Sequence, residues 1–387
     1  MKRIIIFLIM FSFLIPNFIV FAENDDIGLV PNAKSAVMID YNTGTILYNK
    51  NANEIRSVAS LTKMMGLILI FEALEEEKFS LDDIVVVSKN AKEMGGTQIW
   101  LEEGEKISIR DLIKGITMAS ANDAMVAMSE KVAGTESAFV KMMNDKASEL
   151  GLKNTNFVNS TGLDEEGHYS TAYDIALIAK ELLKHEDVLD FTKVYEAYIR
   201  EGTDNKTWIS NTNKLVRFYD GADGLKTGYE DSAGSCIAVT AKRNDLRVIA
   251  VTLGYEKVAV RNTEAMALLD YGFNQYEGKV LYRKGDVVGN VALDGANINN
   301  LDLVLNSDIV ILNKKGDPNK VYNYDIKTDA LSYPIKSGDK IGKFYVKENN
   351  KTIFTTDLLS SDDVEKVNVF SFMFRMFLST VLGGEVK

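Results

Sequence analysis

The sequence predicts an α+β protein, in which one antiparallel sheet is flanked by helices and followed by a small all-β domain and a C-terminal amphipathic helix. Three observations support this fold class. Strand pairs with hairpin chemistry occur at both ends of the region before Tyr271, helical patterns fill the interval between them, and short strand-like segments follow. A chain of 387 residues, 46% of them hydrophobic, is long enough for two folded domains.

The sheet is predicted from two pairs of apolar runs. Ala36 to Asp40 and Thr45 to Tyr48 flank Asn42-Thr43-Gly44, where asparagine and glycine tolerate the positive φ of a tight turn. The same signals recur far downstream in Cys236 to Thr240, Arg243-Asn244-Asp245 and Arg247 to Leu253. We therefore expect strands from both ends of a long region to share one antiparallel sheet.

The interval between the hairpins is predicted to be helical. The clearest helix runs from about Ser60 to Glu77 and is apolar on nearly all sides, as a centrally buried helix would be. Two more helices begin with a hydroxyl followed three residues later by a carboxylate, Ser108 with Asp111 and Thr171 with Asp174. Both pairs predict capped helix starts.

The chain is predicted to divide into a leader at residues 1–22, a main domain at 23–273, a small β-rich domain at 274–363 and a helix at 364–387. After about Tyr271 short apolar segments alternate with turn residues. The segments are Asp302 to Leu305, Asp308 to Leu312 and Lys343 to Val346.

The first residues have the parts of a secretory signal peptide. Basic Lys2 and Arg3 precede the apolar run Ile4 to Ile15, and Val20 and Ala22 are small residues ahead of a polar stretch. Cleavage is predicted after Ala22. The alternative is an uncleaved anchor, although the Pro-Asn break after the apolar run would interrupt a continuous membrane span.

The last stretch, Val367 to Leu382, is apolar except for a thin polar stripe at helical spacing. Such a helix favours lying in a membrane interface, and the alternative is a helix docked on its own protein or on a partner. We therefore expect an exported protein at the outer face of the cytoplasmic membrane, anchored at the membrane surface by this C-terminal amphipathic helix.

Composition excludes several classes of function. A formal net charge of -11 argues against nucleic-acid partners, which select basic surfaces. Cys236 is the only cysteine, so no internal disulfide forms, and its apolar surroundings indicate a small buried hydrophobe. With only His168 and His185 and no His-Glu-x-x-His motif, neither a metal site nor a Ser-His-Asp triad is favoured.

Ser60 and Lys63 carry the candidate chemistry. Three residues apart at the start of the buried helix, they face the same side. A serine hydroxyl is a weak nucleophile until a base takes its proton, and lysine is a base only where desolvation or neighbouring positive charge makes its neutral form accessible. Ser337 and Lys340 have the same spacing, but they lie among turn residues with no helix to align them.

Two further motifs follow in order. Ser120-Ala121-Asn122 falls at a predicted helix junction, which can present side chains into a cleft. Lys226-Thr227-Gly228 begins a predicted strand, whose edge would pair with an extended substrate. Each motif taken alone has an ordinary structural explanation, and each has a decoy, in Ser88-Lys89-Asn90 and Lys336-Ser337-Gly338.

Taken together, the three motifs resemble the Ser-x-x-Lys, Ser-x-Asn and Lys-Thr-Gly elements of penicillin-binding acyltransferases and β-lactamases. Their flanks look like those of the low-molecular-mass D-alanyl-D-alanine carboxypeptidases, over about Pro31 to Phe273. The similar segments are Ala59 to Met65, Ala121 to Ala124, Asn159 to Leu163, His168 to Thr171 and Asp223 to Gly228. The tail also agrees with that family's β domain and C-terminal anchor.

The resemblance implies a β-lactamase/transpeptidase-like fold and a penicillin-sensitive carboxypeptidase that needs no cofactor. Ser60 would attack the penultimate D-Ala carbonyl of a peptidoglycan stem peptide while Lys63 takes its proton. Ser120 would relay a proton to the leaving D-Ala, and backbone N–H groups of Ser60 and Tyr229 would form the oxyanion hole. β-Lactam antibiotics would be covalent inhibitors of Ser60.

The resemblance also implies how substrate is held. Asn122 would hold the substrate amide, Lys226 would support the electrostatics around Ser120, Thr227 would bind the terminal carboxylate, and Gly228 would let the substrate backbone approach closely. Where some relatives have an arginine between two asparagines, this chain has Thr212, so Arg261 is the candidate cation for the carboxylate.

Two alternatives share these motifs. A β-lactamase of class A positions its hydrolytic water with a glutamate followed shortly by Leu-Asn, and Glu165-Glu166-Gly167-His168 lacks that continuation. A wall or lactam sensor of the same fold would be acylated without turnover, and no residue in the sequence indicates this.

Overall fold

The computed structural model describes residues 27–293, 295–318 and 320–367. The strands are β1 (Ser35–Asp40), β2 (Ile46–Lys50), β3 (Ile84–Val86), β4 (Lys106–Ser108), β5 (Glu196–Ile199), β6 (Thr207–Ser210), β7 (Ala222–Glu230), β8 (Gly234–Arg243), β9 (Leu246–Tyr255), β10 (Tyr276–Tyr282), β11 (Val287–Ala292), β12 (Asn300–Leu305), β13 (Ile309–Lys314), β14 (Asn323–Thr328), β15 (Lys340–Glu348) and β16 (Lys351–Ser360). The helices are α1 (Lys63–Glu75), α2 (Lys89–Lys92), α3 (Ile109–Lys114), α4 (Asn122–Ala133), α5 (Glu136–Glu149), α6 (Ala172–Leu182), α7 (Leu189–Thr192), α8 (Leu215–Phe218) and α9 (Val258–Gln275).

The main sheet has the order β2-β1-β9-β8-β7, and all its strand pairs are antiparallel. Both predicted hairpins are present, and β1 pairs along its length with β9. Strands from the two ends of a long region therefore share one sheet, as predicted. The predicted α+β class is confirmed.

Both faces of this sheet are buried, because successive residues of its strands alternate between two cores. On β9, Val251 packs in the core that contains α1, α4 and α6, whereas Ala250 packs in the core on the α9 side. β7 forms one edge of the sheet and runs beside the turn that precedes α1. That edge positions the candidate site.

The predicted central helix is α1. All but three of its residues are buried, including the charged Lys63, so it is surrounded by protein on nearly all sides. The helix begins at Lys63, later than predicted, because Ala59–Thr62 form a tighter 3₁₀ turn. Both predicted caps are present: Ser108 Oγ accepts from Asp111 N, and Thr171 Oγ1 accepts from Asp174 N.

The predicted all-β region after the main sheet is also present. It contains a five-stranded sheet of order β11-β12-β16-β15-β14 and a separate pair, β10 and β13. Both sheets pack over a common apolar core. Helix α9 continues to Gln275 and β10 begins at Tyr276. The predicted domain boundaries after residues 22 and 273 stay predictions.

The C-terminal prediction needs correction. Residues 364–367, placed at the start of an amphipathic helix, are extended: Val364 is buried and pairs with Ile335, and Lys366 pairs with Ala296. Apolar Val364 completes the core of the β domain, and its N–H and C=O bond to Ile335.

Within the described part of the chain, no helix is both long and apolar enough to cross a bilayer. The predicted localisation at the outer face of the cytoplasmic membrane through a C-terminal anchor is therefore wrong. The leader at 1–22 and the remainder of the C-terminal segment, 368–387, lie outside the described residues.

Candidate active site

Ser60 lies in the 3₁₀ turn that precedes the buried helix α1. The residue before it, Ala59, has φ 49°, in the left-handed region that non-glycine residues rarely adopt. Lys63 follows at the first position of the helix, and its Nζ lies 2.8 Å from Ser60 Oγ. The predicted spacing thus produces a direct hydrogen bond.

Lys63 is completely buried. Its Nζ donates to Ser60 Oγ at 2.8 Å and to the carbonyl oxygen of Thr161 at 2.6 Å. Burial lowers the pKa of Lys63 to about 7, although the carboxylates of Glu230 and Asp123 favour its charged form. A neutral amine is therefore available near neutral pH and can accept the proton of the serine hydroxyl.

Ser120 lies where two helices meet, as predicted. Helix α3 ends in a π-helical turn at Gly115–Ala119, and α4 begins at Asn122. Ser120 itself has φ 65° and is 7% exposed. A strained backbone between two packed helices fixes the direction of its side chain, whose Oγ accepts from Lys226 Nζ at 2.7 Å.

Lys226 extends from the edge strand β7 and is buried. Besides Ser120, it donates to the carbonyl oxygen of Thr227 at 2.8 Å. Burial, followed by the positive charges of Lys63 and Arg261, lowers the pKa of Lys226 well below its usual range. Two lysines of lowered pKa therefore flank the two serines.

Gly228 brings β7 into contact with the turn of Ser60. A Cβ at this position would lie 3.0 Å from the carbonyl oxygen of Val58 and 3.1 Å from Ser60 N. Real Cβ atoms are rarely this close to backbone, so a larger side chain would displace the turn. The strand and the serine turn can be this close because residue 228 is glycine.

The side chains of the other predicted residues form hydrogen bonds outside the Ser60–Lys63 and Ser120–Lys226 pairs. Asn122 is buried, and its Nδ2 donates to the carbonyl oxygen of Gly95 at 2.8 Å. Thr227 Oγ1 donates to Thr212 Oγ1 at 2.8 Å. The side chain of Tyr229 is 60% exposed and donates to Asp231, so its side chain lies at the rim of the site.

Arg261, the candidate cation for the carboxylate, is buried on α9. Its guanidinium donates to Ser235 Oγ at 3.0 Å and to the carbonyl oxygen of Cys236 at 3.2 Å, both on β8. Ser235 pairs with Tyr229 on β7. Burial lowers the pKa of Arg261 to about 10, which leaves it cationic at neutral pH.

The loop at residues 158–168, for which the sequence predicts no catalytic or binding role, contacts the serine turn and the start of α1 at three points. The carbonyl of Thr161 accepts from Lys63, as noted, and a Cβ on Gly162 would lie 2.0 Å from the carbonyl oxygen of Ala59. His168 Nε2 lies 2.8 Å from Thr62 Oγ1, and its Nδ1 accepts from Val158 N at 3.2 Å. Contacts made through backbone atoms cannot be predicted from the spacing of sequence motifs, because every residue type has the same backbone atoms.

The decoy motifs have structural partners. Ser337 Oγ donates to the carbonyl oxygen of Ser361, whereas Lys340 Nζ pairs with Asp357 at 2.9 Å. Ser88 caps α2. Cys236 is buried, as expected, and burial raises the pKa of its thiol to about 11. In the described residues, no three His, Cys, Asp or Glu side chains are grouped to hold a metal ion.

Two family models match the chain. The model for D-alanyl-D-alanine carboxypeptidase matches residues 22–257, and the model for the C-terminal domain of penicillin-binding protein 5 matches residues 276–366. The D-alanyl-D-alanine carboxypeptidase DacF of Bacillus subtilis (strain 168) is 44% identical over 348 residues, covering 90% of each chain. The carboxypeptidase DacC of Escherichia coli (strain K12) is 33% identical and covers 88% of this chain and 86% of its own.

Two solved structures are similar to this chain over different shares of its length. Penicillin-binding protein 5 from Haemophilus influenzae has a TM-score of 0.66 at 28% identity, covering 87% of this chain and 98% of its own. Penicillin-binding protein D2 from Listeria monocytogenes, in its ampicillin-bound form, has a TM-score of 0.57 at 31% identity, covering 62% of this chain and 98% of its own. The comparisons give no support to the β-lactamase and sensor alternatives.

Proposed function

The chain belongs to the D-alanyl-D-alanine carboxypeptidase family of serine penicillin-binding proteins, and on that premise we propose that Ser60 is its nucleophile and Lys63 the general base. It is a hydrolase that acts in the cell wall. The observation that carries the assignment is the 2.8 Å hydrogen bond between Ser60 Oγ and the buried amine of Lys63. Burial supplies what a serine nucleophile needs, which is a neutral base at bonding distance.

In the proposed acylation step, neutral Lys63 takes the hydroxyl proton as Ser60 Oγ bonds to the carbonyl carbon of the penultimate D-Ala. The oxyanion accepts hydrogen bonds from the backbone N–H groups of Ser60 and Tyr229, which the close approach at Gly228 supports. The peptide C–N bond then breaks. Ser120 gives its hydroxyl proton to the departing D-Ala amine and regains one from protonated Lys63, which becomes neutral again, and Lys226, 2.7 Å from Ser120 Oγ, stabilises the charge that develops there.

The acyl-enzyme is then hydrolysed. Water attacks the ester carbonyl, its proton passes to a base of the site, and Ser60 regains its hydroxyl proton as the stem peptide, shortened by one residue, departs. The polar side chain of Thr227 supports a role in binding the terminal carboxylate, with buried Arg261 as a candidate cation. Asn122, at the start of α4, is proposed to hold the substrate amide.

We further propose peptidoglycan stem pentapeptides as substrates and β-lactams as covalent inhibitors. The ampicillin-bound relative from Listeria monocytogenes supports the second assignment by similarity. The experiment combines labelling by a fluorescent penicillin with release of D-Ala from a soluble pentapeptide. Both are expected, and both should be lost in Ser60→Ala.

Each other outcome contradicts part of the proposal. Labelling without D-Ala release would contradict the carboxypeptidase assignment and point to a sensor. Rapid turnover of the penicillin would favour a β-lactamase. Labelling that persists in Ser60→Ala would place the nucleophile elsewhere.

A further inference from the structure

The hairpin formed by β5 and β6 has an unusual solvent-facing side. Side chains along its two strands alternate in direction. Ile199 and Ile209 pack into the core that contains α1, α4 and α6, while Tyr198 and Trp208 face outward. Tyr198 is 45% exposed and Trp208 54% exposed, and they lie directly opposite each other across the two strands. A solvent-facing strand side ordinarily carries polar residues, so this aromatic pair calls for an explanation.

The pair is part of a longer surface that continues onto α8. Tyr195 and the 67% exposed Phe218 pack edge to face, with ring centroids 6.2 Å apart. We call the four rings of Tyr195, Tyr198, Trp208 and Phe218 the aromatic strip. Tyr195 directly precedes β5, and the other three rings lie on the hairpin and on α8. Ile199 and Ile209 anchor the hairpin in the core that contains α1, whereas Leu215 anchors α8 in the core on the α9 side.

Charged groups lie over and beside the rings of the aromatic strip. Lys206 Nζ lies 4.2 Å from the centroid of Tyr198, and the Arg217 guanidinium lies 4.7 Å from that of Tyr195. Glu196 accepts from Trp208 Nε1 at 3.1 Å and lies 3.7 Å from Arg217. Aromatic rings and charged, hydrogen-bonding groups therefore alternate along this surface, with cations over the rings of Tyr195 and Tyr198.

The aromatic strip leads directly to the candidate active site. After β6 ends at Ser210, Asn211 N donates to the carbonyl oxygen of Tyr195 at 2.7 Å, which binds the strand end to the strip. The next residue, Thr212, accepts from Thr227 Oγ1 at 2.8 Å. A ligand lying on the strip would thus border the end of the site where the substrate carboxylate is proposed to bind.

This alternation suits a carbohydrate better than a protein partner. A pyranose ring presents an apolar C–H face for stacking on an aromatic ring and polar hydroxyl and amide groups at its edge. The centre of a protein interface, by contrast, is depleted of lysine and glutamate, although it is rich in aromatic residues and arginine, and both Lys206 and Glu196 contact the rings here. Lysine and arginine here also give a local attraction for carboxylates in a chain whose net charge is -11.

We propose that the aromatic strip binds the amino-sugar chain of polymeric peptidoglycan, so that a glycan strand is held beside the site that trims its peptide stems. The proposal rests on the proposed function and deepens it, since it identifies the polymer, rather than a free stem peptide, as the preferred substrate.

The test compares a small with a polymeric substrate. The double variant Tyr198→Ala/Trp208→Ala should cleave a soluble pentapeptide within about twofold of the wild-type rate, because neither ring lies in the proposed catalytic machinery. Release of D-Ala from insoluble peptidoglycan should fall at least about tenfold. The ring-preserving variant Tyr198→Phe/Trp208→Phe should retain most of the activity on the polymer.

A binding measurement separates this proposal from the catalytic one. The Ser60→Ala protein should still co-sediment with peptidoglycan, and adding Tyr198→Ala/Trp208→Ala should abolish co-sedimentation whether or not Ser60 is the nucleophile. Peptidoglycan stripped of its stems by an amidase should still bind. Tyr324→Ala, which removes a ring of 44% exposure from the β domain, is the matched control and should have no effect.

Two results would overturn the proposal. Unchanged polymer cleavage and unchanged co-sedimentation in the double alanine variant would show that the rings do not bind the wall. Loss of binding on removal of the stems would show that the strip recognises peptide rather than glycan. Circular dichroism of each variant establishes that the hairpin is still folded.

Discussion

Lys63 Nζ donates a 2.8 Å hydrogen bond to Ser60 Oγ from a position with no solvent exposure, at the first residue of the central helix. Burial of the charged lysine lowers the free energy of unfolding, and the same burial makes the neutral form of the lysine accessible. Stability and reactivity are therefore linked through one amine. The first two predictions follow from this link.

Acylation should require neutral Lys63. Because burial lowers the pKa of Lys63 to about 7, the second-order rate constant for acylation by penicillin should be level above that pH. Below it the rate constant should fall about tenfold for each pH unit, since protonated lysine cannot accept the serine proton. Stopped-flow measurement with a fluorescent penicillin checks this profile.

Glu230→Gln supplies the internal control for that profile. The Glu230 carboxylate favours charged Lys63, so its removal should move the midpoint to lower pH and speed acylation at mildly acidic pH. A midpoint that stays in place, or moves to higher pH, would assign the titration to another group.

Lys63→Met should abolish acylation and stabilise the fold most at low pH. The pKa of Lys63 in the folded protein, about 7, is lower than in the unfolded chain. Between the pKa of the folded protein and that of the unfolded chain, the lysine is protonated only in the unfolded chain. The free-energy penalty for burying Lys63 is therefore complete below about pH 7 and declines as the pH rises above it. The stability advantage of methionine should shrink by about 2–3 kcal/mol from about pH 6 to about pH 9.

Urea unfolding at several pH values measures this difference. The matched control is Lys141→Met, which changes a lysine that is 76% exposed on α5 and should give a difference that varies little with pH. A difference for Lys63→Met that is equally independent of pH would mean that the buried amine stays charged.

Ser120→Ala should slow acylation about a hundredfold, because the proposed path for the proton to the leaving group is lost and Lys226 keeps only the carbonyl of Thr227 as an acceptor. The control is Ser129→Ala, since Ser129 on α4 is also a buried serine but bonds to the carbonyl of Met125. Equal acylation rates in the two variants would remove Ser120 from the mechanism.

Gly228→Ala should lower both acylation and stability. The added methyl group would lie about 3 Å from the backbone of Val58 and Ser60, and overpacking of this kind typically costs about 1–3 kcal/mol. Gly95→Ala is the control, because a Cβ there meets no atom within 4 Å and the carbonyl that Asn122 uses is retained. The acylation rate and the thermal unfolding temperature should both be lower in Gly228→Ala than in Gly95→Ala. Equal values in the two variants would contradict the close packing at Gly228.

His168→Ala should slow acylation and cost about 1–3 kcal/mol of stability, because it leaves the buried Thr62 Oγ1 and the partly buried Val158 N without their partner. Burial lowers the pKa of His168 to about 4, so the imidazole is neutral across the assay range. The midpoint of the pH profile should therefore stay near that of Lys63 in the variant. His168→Gln, which can still donate to Thr62, should recover part of the rate; a shifted midpoint would mean that His168 itself titrates.

Much of the fold could be predicted because its signals are local. Turn residues at Asn42 and Asn244 mark the two hairpins, and an all-round apolar sequence marks the central helix. The helix start at Lys63 was less predictable, because a 3₁₀ turn and an α-helical turn place apolar side chains at almost the same spacing. The extended path of Val364 was missed because an apolar residue fits a helix and a bridge equally well.

The candidate site was predictable in its residues and not in its contacts. Ser60, Lys63, Ser120 and Lys226 follow from motif order, and the structure joins them into two hydrogen-bonded pairs. The Thr161 carbonyl could not be foreseen, since any residue type offers the same backbone oxygen.

By itself the sequence determined which side chains carry reactive groups, and where hairpins and capped helices begin, because these depend on neighbours a few residues away. Only the tertiary structure decided how reactive those groups are. The pKa of Lys63 depends on burial by segments as distant in sequence as Thr161, and the approach of β7 to the Ser60 turn depends on strand pairing across the sheet. Desolvation and close packing arise only when remote segments meet, and so motif spacing alone does not encode them.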